Sequence, residues 1–273
     1  MLKKYGSILI AAALMAFMIA SCKPKRNNEG PGPDAGKPAY QSSGTEGTIS
    51  GVIKFDGAAP VRKRIDMGAD ANCAAAAGEK LTEETIVTDG KLANVFVYIT
   101  GGPVEQFSFP TPSDPVVLDQ KGCHYDPHVL GLMTRQTLKI TNSDQAAHNI
   151  HPTPKNNPEW NESQPPGTAP KEKTFNRAET LIPVKCNQHP WMKASIGVLA
   201  HPCFGVSAKD GAYTIKNVPP GKYTLIAWHE IMGEQKMEIT VGAGEKKPQD
   251  FTFKSNVAYA PTSLRMEAAL ILP

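Results

Sequence analysis

Short runs of β-branched and aromatic residues, broken at close intervals by Gly and Pro, constrain this chain more than any other feature. Gly47–Phe55 alternates, with Ile49, Gly51, Ile53 and Phe55 on one face, and Val95–Ile99 is a continuous β-rich run. Val116–Leu118, Thr137–Thr141, Thr180–Lys185, Ala194–Leu199, Ala212–Ile215, Lys222–Trp228, Lys236–Thr240 and Asp250–Lys254 are further strand candidates. Between them lie Asp56-Gly57, Asp89-Gly90, Gly101-Gly102, Asp210-Gly211 and Pro219-Pro220-Gly221, whose backbone preferences reverse the chain. With 24 Pro and 23 Gly in 273 residues, an all-β sandwich is expected. Helical turns are expected only near Ala74–Thr85 and Ser263–Leu270. No Gly-rich phosphate loop follows a strand and no nucleophile elbow occurs. The formal charge of +3 provides no basic field, so nucleic acid is not an expected partner.

The N-terminus reads as an export signal. Lys3 and Lys4 precede an unbroken apolar run, Ile8–Ile19, too short for a bilayer span of about 20 residues. Ile19-Ala20-Ser21-Cys22 resembles the bacterial lipobox, which implies cleavage after residue 21 and a lipid on Cys22. Residues 22–46, rich in Pro and Gly and with Tyr40 as their one large apolar side chain, are then a flexible tether reaching roughly 27 Å. The expected location is the bacterial cell envelope, anchored to the membrane and facing the periplasm or the surface. Lys23 is not an acidic inner-membrane retention signal, so the outer membrane is preferred.

Export makes disulfides possible for Cys73, Cys123, Cys186 and Cys203. Cys73–Cys123 is the preferred pair, because it would staple two separate segments. Cys123–Cys203 is the alternative, and sequence alone leaves the pairing open. Cys186 stands apart. It begins Cys186-Asn187-Gln188-His189-Pro190-Trp191-Met192, a C-x2-H-x2-M loop, and His148-Asn149 lies upstream, after the strand Thr137–Thr141. Two imidazoles, a thiolate and a weak thioether are the donor set of a blue-copper site. His151 would point to the opposite strand face from His148. His124, His128, His201 and His229 are not expected to touch that metal, with a second metal site among them left open.

This order of residues resembles the cupredoxins, plastocyanin and amicyanin among them, over roughly 115–201. The resemblance implies a Greek-key β-sandwich with one type 1 copper held by His148, Cys186, His189 and Met192. It makes Asn149 the residue that ties the two ligand loops together. It leaves His189 on an exposed loop as the electron port, with Pro190 and Trp191 as an apolar docking patch for a c-type cytochrome or a respiratory complex. The six prolines of 151–174 exceed a simple hairpin connection and suggest an ordered lid or partner surface. Trp160 and Trp191 would shield the metal or simply pack.

A second resemblance covers Val206–Leu225, where Asp210-Gly211 and Pro219-Pro220-Gly221-Lys222-Tyr223 match the carboxypeptidase regulatory-like (transthyretin-like) domain. The expected organisation is a signal at 1–21, the lipidated tether at 22–46, and a discontinuous transthyretin-like sandwich at 47–110 with 202–255. The cupredoxin at 111–201 is inserted into that sandwich, and 256–273 is a tail. The function expected is electron transfer by a lipid-anchored copper protein that is not an enzyme. Copper storage or delivery, and a structural or adhesive surface lipoprotein, are the alternatives. A multicopper oxidase would need His-x-His pairs, and the chain has none.

Overall fold

A computed structural model of the chain describes residues 36–75 and 80–255. The signal segment, Cys22, the first part of the tether, the turn expected at Ser263–Leu270 and the tail lie outside these residues. Residues 36–46 carry contacts of their own. Tyr40 stacks on Phe109 with ring centroids 4.6 Å apart, and its N–H donates to the Ser108 carbonyl.

The described chain is nearly all β, arranged as two sandwiches. In the flanking sandwich, Gly47–Asp56 is the organising strand. It pairs antiparallel with Ala212–Val218 and parallel with Lys246–Pro248 and Phe251–Lys254, so the last described strands close onto the first described one. The facing sheet is built from Phe204–Val206, Phe96–Thr100, Gly221–His229 and Gly233–Val241. Ile49, Ile53, Ile215, Val97, Ile99, Leu225 and Ala227 fill the space between, all excluded from solvent.

Residues between these two sequence segments form the second sandwich. One sheet orders Glu162–Gln164, His148–Pro152, Glu179–Lys185, Lys193–Leu199 and Val129–Met133, and the last two run parallel. The other orders Lys171–Lys173, Leu138–Asn142, Val116–Gln120 and Tyr125–Asp126. Leu118, Leu138, Ile140, Ile150, Ile182, Val184 and Ile196 form its core. The proline-rich segment is thus partly sheet, because its two short strands find edges on either face of this sandwich.

The strand Phe96–Thr100 joins the two bodies. Val97 and Ile99 face the flanking core, whereas Phe96 and Tyr98 face outward onto Val129 and Leu199 of the second sandwich. Burial on both faces explains why this run is continuously apolar. Phe96 lies over Gly131 and Gly197, which are paired in register. A Cβ at Gly197 would come within 2.4 Å of the Phe96 ring, and one at Gly131 within 2.7 Å.

A short helix at Ala71–Ala74 meets the start of the turn expected near Ala74–Thr85, of which residues 76–79 lie outside the described residues. Asp70 caps it, and Leu81 is already bridged to Arg64. A second short helix, Pro103–Gln106, follows the Gly101-Gly102 turn. Cys73 and Cys123 form a disulfide across a separation of 50 residues, while Cys186 and Cys203 are buried free thiols. Closing a loop of that length stabilises the fold by about 4 kcal/mol in the chain-entropy account.

Candidate metal centre

The hairpin turn that joins Glu179–Lys185 to Lys193–Leu199 is the Cys186–Met192 loop. Lys185 and Lys193 are cross-strand partners at its base. The loop folds back on itself: the Cys186 N–H donates to the Met192 carbonyl at 3.2 Å, and the Met192 N–H donates to the His189 carbonyl at 2.9 Å. The neighbouring strand His148–Pro152 pairs with Glu179–Lys185 near the same end of the sheet. His148, Cys186 and His189 therefore meet, with one ligand atom from each within 4.8 Å of the others. The distances are 2.9 Å between the two Nδ1 atoms and 3.7 Å from Cys186 Sγ to His189 Nδ1. His148 and Met192 are fully buried, and Cys186 and His189 are each 3% exposed.

Each imidazole is held from behind by a carboxylate. His148 Nε2 lies 2.9 Å from Asp144 Oδ2, and His189 Nε2 lies 3.3 Å from Asp70 Oδ2. A carboxylate oxygen only accepts, so each Nε2 carries the hydrogen. Burial holds His148 below the ordinary imidazole range despite the pull of Asp144, which keeps that ring neutral. Backbone donation from Cys73, with His189 alongside, holds Asp70 below the usual carboxylate range. Both rings then present a bare Nδ1 lone pair to the other.

Asn149 bridges the two ligand segments. Its Oδ1 accepts from the Asn187 N–H at 2.8 Å and from the Cys186 thiol at 3.4 Å, and its Nδ2 donates to Asn161. Tyr125 donates its hydroxyl to the Asn149 carbonyl, and burial pushes that phenol well above its usual range. The Trp191 indole N–H donates to the Cys123 carbonyl, and its ring centroid is 5.1 Å from that of His189. Trp160 packs on Phe175. His151 faces outward, hydrogen-bonded to Asn187 and Glu159.

His189 is not exposed. Segment 65–75 folds over the loop, placing Asp70 on its Nε2 and Cys73 Sγ 3.7 Å from the same atom. Of the docking patch, Pro190 is exposed and Trp191 half-buried. The Cys73–Cys123 pair is the one preferred from sequence, whereas Asp70 and Asp144 were not singled out. Asp144 precedes His148 by four residues and Asp70 precedes Cys73 by three, but no spacing tells that residue 70 meets residue 189. Two further groupings, Asp70–Cys73–His189 and Cys123–Asp144–His148, bring ligand atoms within 4.8 Å. Their cysteines share a disulfide and offer no thiolate.

The comparisons with known proteins are partial. Residues 204–249 match a family model described as polysaccharide lyase family 4, domain II. The match overlaps Val206–Leu225 but names a different family from the carboxypeptidase regulatory-like one expected there. No curated protein matches. Among solved structures, similarity extends to a copper-containing nitrite reductase from Thermus scotoductus SA-01, at 18% identity and TM-score 0.29, covering 36% of this chain and 27% of that one. This chain thus spans about a quarter of the reductase. An amicyanin variant aligns at 18% identity and TM-score 0.28, with 31% and 81% covered. A purple cupredoxin from Nitrosopumilus maritimus aligns at 26% identity and TM-score 0.24, with 28% and 81% covered. At these scores the chemistry of the site rests on its own geometry.

Proposed function

We propose that this chain is a lipid-anchored carrier of single electrons, built around one type 1 copper held by His148, Cys186, His189 and Met192. The observation that carries this reading is the pair of facing Nδ1 atoms. Two acceptors 2.9 Å apart repel unless a cation sits against both, and a thiol lies 3.7 Å from one of them. Both separations are shorter than the roughly 4 Å that two metal–ligand bonds span end to end. The donors present therefore fit a single ion. Copper bound there would supply a Cu(I)/Cu(II) couple, for which imidazole, thiolate and a weak thioether are a suitable mixed set.

The chain's own residues do the rest. Asp144 and Asp70 fix the tautomers of the two rings, and Asn149 holds the Cys186 loop against the His148 strand. Burial of all four donors excludes water. With His189 covered, Trp191 and the exposed Pro190 form the apolar surface nearest the centre, where a c-type cytochrome or respiratory complex would dock. No residue of the pocket is assigned a substrate or a catalytic role. The lipid on Cys22 would hold the chain at the bacterial envelope, the outer membrane preferred, with the flanking transthyretin-like sandwich as scaffold. Burial of His189 also favours a second reading, copper storage, in which exchange with a redox partner would be slow.

The test is a visible absorption and electron paramagnetic resonance spectrum of the full chain with Cu(II), beside Cys186→Ser. An intense thiolate-to-copper band with narrow hyperfine splitting is expected, with both lost in the variant. A colourless wild-type protein overturns the proposal.

A further inference from the structure

The supports of the two histidines share an origin that the donor set alone does not reveal. Asp70 Oδ1 accepts from the backbone N–H groups of Asn72 and Cys73 at 2.8 and 3.0 Å, while its Oδ2 faces His189. Asp144 accepts from the N–H groups of Gly122 and Cys123 at 2.6 and 2.7 Å, and its Oδ2 also faces His148. Gly122 and Cys123 are both left-handed, at φ 63° and 57°, and this points two successive N–H groups at one carboxylate. Each ligand is thus gripped by an aspartate, and each aspartate by the backbone of one half-cystine. The Cys73–Cys123 bond joins the two grips. Segments 70–73 and 122–123 come from distant parts of the sequence, and the Trp191–Cys123 hydrogen bond adds the ligand loop to the same unit.

We propose that the Cys73–Cys123 disulfide is a positioning brace for His148 and His189, acting through Asp144 and Asp70, so that the metal site is assembled only in the oxidised chain. The proposal rests on the metal-site reading above and adds its regulation. Reduction breaks the S–S bond with two electrons and two protons, supplied by a dithiol that closes to its own disulfide, and leaves two thiols. The two half-cystines then separate, the segment over His189 is released, and the rings lose their common frame. Asp70, Asp144 and the cystine bind nothing themselves; they are positioning residues.

The test uses the full chain in four forms besides wild type: Cys73→Ala with Cys123→Ala, Asp70→Asn, Asp144→Asn, and Asp70→Glu. In the metal-free protein, long-range 15N–1H correlations report the tautomer of each ring. Both are expected as Nε2–H in wild type. Asp70→Asn should lose this at His189 alone, Asp144→Asn at His148 alone, and the double cysteine variant at both. Cobalt(II), measured by its thiolate absorption in a competition titration, should bind 10–100-fold more weakly in each variant. Asp70→Glu should recover part of the loss if orientation is the cause.

If the double cysteine variant keeps both tautomers and binds cobalt within twofold of wild type, the brace is refuted. If that variant does not fold, wild type reduced by a dithiol, with reduction verified by mass, takes its place under the same criteria. Wild-type tautomers as expected without any thiolate–metal band would sink the metal reading but not the aspartate grips. A normal band indifferent to the cystine would sink the brace and leave the metal reading standing.

Discussion

Protonation of His229 should weaken the fold in acid by an amount the structure sets. This ring ends the strand Gly221–His229 and is 1% exposed. Its Nδ1 accepts from the N–H groups of Ile231 and Met232 at 3.2 and 3.4 Å, while Nε2 is buried without a partner. Protonating Nδ1 would break both bonds and place a charge in the interior near His128. Burial first, and His128 second, lower its pKa from 6.5 to about 4. A base with a depressed folded pKa binds its proton more readily unfolded. Its contribution is therefore intact above pH 6.5 and is lost as the pH falls toward 4. At about 1.36 kcal/mol per unit, the whole loss is about 3 kcal/mol, of which roughly 2.5 kcal/mol is reached by pH 4.5. Several depressed carboxylates weaken the fold over the same range, so the useful quantity is the gap to His229→Asn, whose Oδ1 can replace Nδ1 as acceptor. Urea unfolding of both metal-free proteins should show that gap shrinking by about 2–2.5 kcal/mol between pH 7 and pH 4.5. A gap constant to within about 0.5 kcal/mol would refute the argument.

Other outcomes follow from packing and hydrogen bonding. Phe96→Ala should cost about 3–5 kcal/mol and Gly197→Ala about 1–3 kcal/mol. The combined variant should be more stable than their sum in denaturant titrations, because the ring that the new methyl strikes is gone. Asn149→Ala leaves the Asn187 N–H without its acceptor and should cost about 1–3 kcal/mol in the metal-free protein, read by urea unfolding. Burial pushes the Cys203 thiol up to about 12, so at pH 8 it should resist alkylation in the folded chain and react on unfolding, as peptide mass mapping would show.

Local sequence made part of this molecule legible. All ten strand candidates overlap strands, because alternation and turn residues are short-range signals that tertiary context here reinforces. The C-x2-H-x2-M spacing put Cys186, His189 and Met192 on one turn, and the strand pairing that brings His148 beside it follows from sheet topology. Other strands were hidden. Val129–Met133 pairs in parallel with Lys193–Leu199, and parallel partners lack the turn that marks a hairpin. His148–Pro152 is polar and leads into the proline-rich segment, so periodicity did not mark it. The carboxylates behind the two rings were least legible. The cystine pairing was open to sequence, but which Asp each half-cystine holds against which ring is fixed only in three dimensions, and an Asp in a polar turn looks like any other.

The seat of Phe96 on Gly131 and Gly197 bears on how this chain can be divided. A sandwich that ended at its own sheet would have a solvated outer face. Here that face is a trough of two glycines flanked by Val129 and Leu199, filled by the stacked rings of Phe96 and Phe204 from the neighbouring body. Residues 111–201 cut out alone would turn an interior surface into an open apolar groove, prone to pair with a second copy. The flanking sandwich is in this sense the missing wall of its neighbour, and a soluble fragment would first need Phe96 replaced by something that fills the trough.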